Sequence, residues 1–454
     1  MNEDSQWSEQ PVRSLEDLCG VLAAPEQPAA SWRIGAESEK FGVHEHTGRP
    51  LAYEGDFGVL RIFEWLVRER GWEPVRETEG GPIIALTKEG AGITLEPGAQ
   101  FELSGAALPD VHAVAAEHER HLADVGIISR ELGVVWLMTG FHPLARQSEL
   151  PWVPKVRYGI MREYLPTKGS GALDMMRRTA TVQGNFDWSS EADGMKKLLA
   201  ALKISPLVHT LFQNAPFAEG RATELQSVRG DVWLRMDPSR SGLIPSLWTK
   251  QNVGYADYVE WALDAGMFLV KRGDRILANT GQTFRDFWQN GFEGHRATLS
   301  DFRLHLNTLF PEARLKNTLE VRCGDSLPPE LSTALLALWT GVLYDERALD
   351  EVTALTEGFV FEEVEASRPA LLREGLRGTL AGHSVLSLGE RLLTIARGGL
   401  ERRQRLNADG CSEASLLAPI ERLTSAGLTP ADVARTRAGA EPTTQSLIAA
   451  TAIA

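Results

Sequence analysis

Residues 82–105 read PIIALTKEGAGITLEPGAQFELSG. Three short apolar runs are joined by Gly-containing turns, the second at Pro97-Gly98, which is the pattern of an antiparallel meander. Side chains alternate across a strand. Ile93 and Leu95 therefore point one way, and Thr94 and Glu96 the other. Past the turn, Gln100 and Glu102 share a face, with Phe101 and Leu103 opposite. A chain reversal at Pro97-Gly98 would bring Glu96 and Glu102 together.

Working outward, WRIGAESEKFGV (32–43) reads as a strand that places Glu37 and Glu39 on one face and Ala36 and Ser38 on the other. VVWLMTGFHP (134–143), TATVQGNFDW (179–188), GMFLVKRGDRILAN (266–279) and RLKNTLEVRCGD (314–325) supply more strands. The third of these is a hairpin turning at Gly273-Asp274. Helical spacing marks 55–71, 110–132, 190–213, 255–265, 283–291 and 298–309. Beyond about residue 327 strand signals stop, and 328–357, 385–407 and 412–438 read as helices. The last dozen residues read as loose. Residues 1–30 are polar and Pro/Ala-rich, with one amphipathic piece at 15–22. The element order predicts an α+β fold: an antiparallel sheet with surrounding helices, then a helical C-terminal part. The expected division is an N-terminal segment (1–30), a catalytic domain (31–345) and a helical part packed on it (346–454). Hairpins in place of βαβ alternation argue against a Rossmann-type sheet.

The chain has 454 residues, 43% apolar and 24% charged, as in an ordinary globular protein. Its net charge of −14 argues against general nucleic-acid or anionic-membrane binding. Cys19, Cys323 and Cys411 cannot make a disulfide framework and fit a reducing cytosol. No apolar run is long enough to span a membrane, and MNEDSQWSEQ is unlike a signal peptide, so a cytoplasmic protein is expected.

The strand faces carry the chemistry. An isolated E-x-E most often sits on a solvated sheet face. Two such segments side by side repel unless a cation lies among them. Carboxylate-only clusters suit a hard cation such as Mg²⁺. On 179–188, Thr179, Thr181, Gln183, Asn185 and Asp187 share a polar face. On 314–325, Arg314, Lys316, Thr318, Glu320 and Arg322 share another, which suits phosphate together with one more metal ligand. Arg157, Arg178, Arg229 and Arg240 read as strand or loop residues, each alone more often a surface side chain. His112, His118 and His121 read as surface residues of the 110–132 helix. Cys323 falls on an apolar face and reads as buried. No P-loop, nucleophile elbow or zinc spacing is present. Carboxylates, metal and cations on one concave sheet point to phosphoryl transfer from ATP.

WRIGAESEKFG, LEPGAQFELSG, PKVRYGIMREYLP, LDMMRRTATVQGNFDWSSEAD, SRSGLIPSLW, TFRDF, HLNTLFPEARLKNTLEVR and LWTGVLYD occur in this order. Together they resemble the plant and proteobacterial type of glutamate–cysteine ligase, over nearly the whole chain from residue 31. The resemblance implies a glutamine-synthetase-like catalytic fold and Mg²⁺ (two or three ions, with Mn²⁺ as an alternative). It implies ATP as co-substrate, L-glutamate and L-cysteine as substrates, and γ-glutamylcysteine, the first step of glutathione synthesis, as product. A monomer or homodimer is expected. By the same resemblance Glu37, Glu39, Glu96, Glu102 and Glu320 would be metal ligands, and Glu39, Glu102 and Arg322 catalytic. Arg157, Arg229, Met175, Met176, Thr179 and Thr181 would bind the amino acids. Lys40, Gln183, Asn185, Arg240, Arg314 and Lys316 would face ATP. Ala180, Phe268 and the CGDSLPPE run (323–330) depart from the family's usual Cys, aromatic hydroxyl and G-A-D-G-G-P-W, which puts the acceptor pocket more than the phosphoryl chemistry in question. The rival readings are a γ-glutamyl ligase with another amine acceptor or serving ergothioneine synthesis, and a guanidino-type phosphotransferase.

Overall fold

The computed structural model describes residues 10–250, 252–273 and 275–453. Residues 1–9 and Asp274, which the sequence reading expects in a hairpin turn, lie outside them. Seven strands come first along the chain: β1 (Ile34–His44), β2 (Glu73–Arg76), β3 (Ile83–Lys88), β4 (Ala91–Leu95), β5 (Phe101–Ser104), β6 (Val134–Leu137) and β7 (Val182–Phe186). With Ala313–Leu315 and Leu319–Val321 they form one antiparallel sheet. Its order is 313–315, 319–321, β7, β1, β5, β4, β3, β2, with β6 on the far half of β1. The meander forms as its punctuation predicts. Glu89 and Gly90 both take positive φ, 50° and 85°, the two-residue turn that matches strand twist. Gly98 is required for a different reason: a Cβ there would lie 2.4 Å from the carbonyl oxygen of Arg177.

Seven helices occur among these strands and up to residue 234. They are α1 (Leu15–Ala23), α2 (Val59–Arg70), α3 (Val111–Leu132), α4 (Val156–Tyr164), α5 (Ala172–Arg178), α6 (Glu191–Leu211) and α7 (Val228–Leu234). α3 begins at Asp110, whose carboxylate accepts the N–H of Ala113, and ends at the left-handed Gly133. It packs on the side of β1 opposite Glu37 and Glu39. Ser38 meets His118 there at 3.2 Å, and Lys40 Nζ lies 2.7 Å from His121 Nε2. The Pro329–Leu343 helix covers the same side over β7. One apolar core runs from Leu18 and Val21 of α1 to Leu417 and Ile420 near the C-terminus.

Several expectations need correcting. The 314–325 strand is a hairpin, because Lys316–Thr318 turns back on itself with Lys316 N donating to the carbonyl of Thr318. The 179–188 strand is regular only over Val182–Phe186. His118 and His121 are buried, since α3 lies against the sheet on that side. Arg157, Arg178 and Arg229 sit on α4, α5 and α7, helices too short to show a clear period. The Phe361–Glu374 helix was not expected; Pro369 inside it hides the pattern. A small hairpin, Thr379–Leu380 with His383–Ser384, breaks the all-helical C-terminal part. The final residues are docked: Thr444–Thr451 is helical, Leu447 and Ile448 are buried, and Ile453 N donates to the carbonyl of Trp136 at 3.0 Å. The hairpin Leu269–Arg272 with Arg275–Ala278 and the burial of Cys323 agree with expectation.

Candidate active site

Strand pairing assembles the charged face. Glu39 stands directly across from Glu102, and Glu102 from Thr94, in a row over β1, β5 and β4. Glu37 pairs with Gln183, and Asn185 pairs with Glu320. Arg314 faces Glu320 across the last hairpin. Glu96 sits at the turn, where Ala99 N donates to its carbonyl at 2.9 Å, so the expected approach of Glu96 to Glu102 occurs.

These side chains line one cleft of about 380 Å³. Glu37, Glu39, Glu96, Glu102, Glu320 and Gln183 form its floor, with Arg157, Arg314, Lys316 and Arg322 around them. The cleft also has an apolar wall made of Met161, Phe268, Leu269, Leu304 and Phe310. Lys155 and Tyr158, which the sequence reading passed over, also reach in. Both donate to the carbonyl of Leu95, at 2.8 and 2.7 Å. Their signal was the shared PKVRY segment with Arg157.

The carboxylates fall into two electrostatic groups. Glu320 is opposed by burial, yet Arg314, Lys316 and Arg322 hold it ionised well below the ordinary range, at contacts of 2.6, 3.0 and 2.7 Å. Glu37, Glu39 and Glu102 have no such cluster. Burial and the neighbouring carboxylates push Glu37 up to about 7 and raise Glu39 and Glu102. Glu102 accepts from Ser104 at 2.6 Å and Thr94 at 2.9 Å, and Glu39 from the backbone N–H of Thr181 at 3.0 Å. Among the described residues no three His, Cys, Asp or Glu side chains already form a metal cage. The donor set still fits a hard cation: oxygen-only, buried and short of positive charge on the Glu37–Glu39–Glu102 side.

Other predicted site residues lie elsewhere. Lys40 is fully buried on the far face of β1, because side chains alternate, and so cannot reach the cleft. Arg240 is fully buried behind the wall. Met175 and Met176 are core residues beneath the cleft. Thr179 Oγ1 donates to the carbonyl of Met175 and Thr181 Oγ1 to that of Gly324, both at 2.6 Å, so neither hydroxyl lines the cleft. Asn185 supports the floor: its Nδ2 donates to Glu37 at 2.9 Å and its Oδ1 accepts from Thr318 at 2.7 Å. Gln100 turns inward to the carbonyls of Met176 and Thr179. Ala180 packs with Phe41 and Leu137 away from the cleft and no residue of 323–330 lines it, so of the three departures only Phe268 touches it. Arg229 lines a smaller adjoining chamber with His209, Trp233 and Glu312, and that chamber shares Arg322 and Phe310 with the cleft.

A curved antiparallel sheet carrying carboxylates on one face and helices on the other is the glutamine-synthetase-like catalytic fold. The crystal structure of a glutamate–cysteine ligase from Francisella tularensis in complex with AMP has the same fold. Its TM-score is 0.52 at 11% identity, over 92% of this chain and 87% of that one. Residues 33–450 match glutamate–cysteine ligase family 2 (GCS2), and the chain belongs to that family. It is 38% identical to glutamate–cysteine ligase B, chloroplastic, of Oryza sativa subsp. japonica, over 92% of this chain and 82% of the relative. It is equally similar to the chloroplastic enzyme of Solanum lycopersicum, over 95% of this chain and 80% of the relative. No helix of the described residues is long and apolar enough to cross a membrane.

Proposed function

We propose that the cleft joins the γ-carboxylate of L-glutamate to the amine of L-cysteine with ATP as co-substrate. The product is γ-glutamylcysteine, which makes this the first step of glutathione synthesis. The observation that supports this best is the opposition of the Glu39–Glu102 row to Arg314, Lys316 and Arg322 in one cleft. A carboxylate is a poor electrophile. Transfer of the γ-phosphoryl group of ATP to a carboxylate oxygen of glutamate releases ADP and gives an acyl phosphate. The cysteine amine then attacks the acyl carbon, the C–O bond breaks, phosphate leaves and the amine loses a proton.

Several cleft residues have a part in this chemistry. Arg322, held between Gln183 and Glu320, stands ready for charge on the transferring oxygens. Lys316 and Arg314 face the same end. Arg157 suits a substrate carboxylate. Glu37, Glu39, Glu96 and Glu102 would hold Mg²⁺, or Mn²⁺ in its place, whereas Glu320, expected as a fifth ligand, is held by Arg314, Lys316 and Arg322. The metal, when bound, neutralises phosphate charge. The apolar wall keeps water from the acyl phosphate. The free thiols of Cys19, Cys323 and Cys411 suit a reducing compartment such as the cytosol.

An amine panel tests the reading. ADP release is measured with glutamate and each amine, and the product is weighed by mass spectrometry. Stimulation by cysteine and an amide product are expected. Stimulation by another amine alone would overturn the choice of acceptor, and a phosphoramidate would overturn the ligase.

A further inference from the structure

Glu96 differs in its footing from Glu37, Glu39 and Glu102. Glu37 and Glu39 lie inside β1 and Glu102 inside β5, and each of these strands is paired on both edges. Glu96 lies one residue beyond β4, in the turn to β5, so no pair of neighbouring strands fixes it. The turn itself is unfavourable. Ala99 takes a φ of 65°, a left-handed conformation that L side chains rarely adopt and that persists only where surrounding contacts hold it. Part of that hold comes from one remote segment, residues 153–158. Val153 N donates to the carbonyl of Pro97 at 3.0 Å. Lys155 Nζ and Tyr158 OH donate to the carbonyl of Leu95 at 2.8 and 2.7 Å, filling both its lone pairs. The carbonyls on either side of Glu96 are thus held from the start of α4.

We infer that Tyr158 is a positioning residue: its hydroxyl fixes the Leu95–Pro97 turn and so sets where the Glu96 carboxylate stands in the cleft. The inference rests on the reading of Glu96 as a cation ligand. The surroundings of the phenol suit the part. Its ring is buried, and its one hydrogen goes to the Leu95 carbonyl. Arg157 Nη2 and Lys155 Nζ approach its oxygen at 3.3 and 3.4 Å. Neither cation can accept a hydrogen, so both keep the hydroxyl turned toward Leu95. Burial pushes its ionisation well above the usual range. Tyr158 therefore carries no charge, unlike Lys155, and acts on Glu96 through geometry alone. Loss of an outer group that orients a ligand typically costs about 10- to 100-fold in metal affinity. Lys155 still holds the carbonyl when the phenol is gone, which puts the effect here at the low end.

The test uses the full chain without substrates and Mn²⁺ alone, titrated by loss of the free-ion EPR signal, with a melting curve for each protein. Tyr158→Phe keeps the ring and leaves Lys155 on the Leu95 carbonyl, so it should fold and melt close to wild type. It should weaken Mn²⁺ binding about fivefold to tenfold, and Glu96→Gln should weaken it about tenfold or more. In the Glu96→Gln background Tyr158→Phe should add about twofold or less, because both act through one carboxylate. An equal loss in both backgrounds would give the phenol a general structural part and overturn the inference. So would an unchanged affinity in Tyr158→Phe beside a weakened Glu96→Gln, which leaves the cation reading standing. A Tyr158→Phe chain that does not fold would place the hydroxyl's role in the core and overturn it too. If Glu96→Gln binds Mn²⁺ as wild type does, Glu96 is no ligand, and the cation reading falls together with the inference.

Discussion

The two groups of carboxylates should respond to neutralisation in opposite ways. Glu39 faces Glu102 at a cross-strand position with like charge. Glu39→Gln should therefore raise the stability of the metal-free protein by about 1 kcal/mol while lowering kcat roughly 100-fold or more. Urea unfolding in EDTA and an ADP-release assay would check the pair of effects; a less stable variant would show that the carboxylates do not repel. Glu320→Gln should do the reverse to stability. It leaves Arg314 and Arg322 buried without their anion, a loss on the order of 3 kcal/mol. A site that sacrifices stability at Glu39 and recovers it at Glu320 is consistent with one carboxylate kept for a cation and another tethered to protein cations.

At the scale of elements, strand period two was enough to place Glu37, Glu39, Glu96 and Glu102 on one face, since a pleated strand allows no other alternation. The same rule should have excluded Lys40, which is one residue from Glu39 and so on the opposite face. It did not apply to Arg157 or Arg229, whose short helices carry too few residues to show a period. The C-terminal helix was missed as an ordered element because its hydrophobic residues are few and meet β6 only in three dimensions. Ending the chain after residue 442 removes buried Leu447 and Ile448 and the bond from Met138 N to the carbonyl of Thr451. The truncated protein should lose on the order of 4 kcal/mol in urea unfolding, and one as stable as the full chain would contradict this docking.

For the whole molecule, the buried histidines set an acid limit. Burial first, with Arg240 nearby, holds His305 down to about 3, against the donated contact with the carbonyl of Ala262 at 2.8 Å. His142 is held down to about 3 by burial and Arg178. Each folded-state value lies below that of the unfolded chain, so the unfolded chain takes up the proton first. The stability that comes from keeping them neutral is full above about pH 6.5 and is lost as pH falls from there toward 3. Wild type should lose about 2 kcal/mol more than His305→Gln between pH 7.5 and 5. Equal losses by thermal or urea melts at the two pH values would remove His305 from the account.

The order of motifs, the α+β class, the meander and the shared face of four glutamates were determined by the sequence alone, because turn chemistry and side-chain alternation are local properties. Three matters were decided only by tertiary structure. Glu320 became the partner of Arg314 because the 314–325 segment folds back on itself. Arg240 became an internal support because segments remote in the chain close over it. The acceptor question narrowed to Phe268 because Ala180 packs into a separate core. Each depends on contacts between distant segments, and no local pattern in the chain encodes which segments will meet.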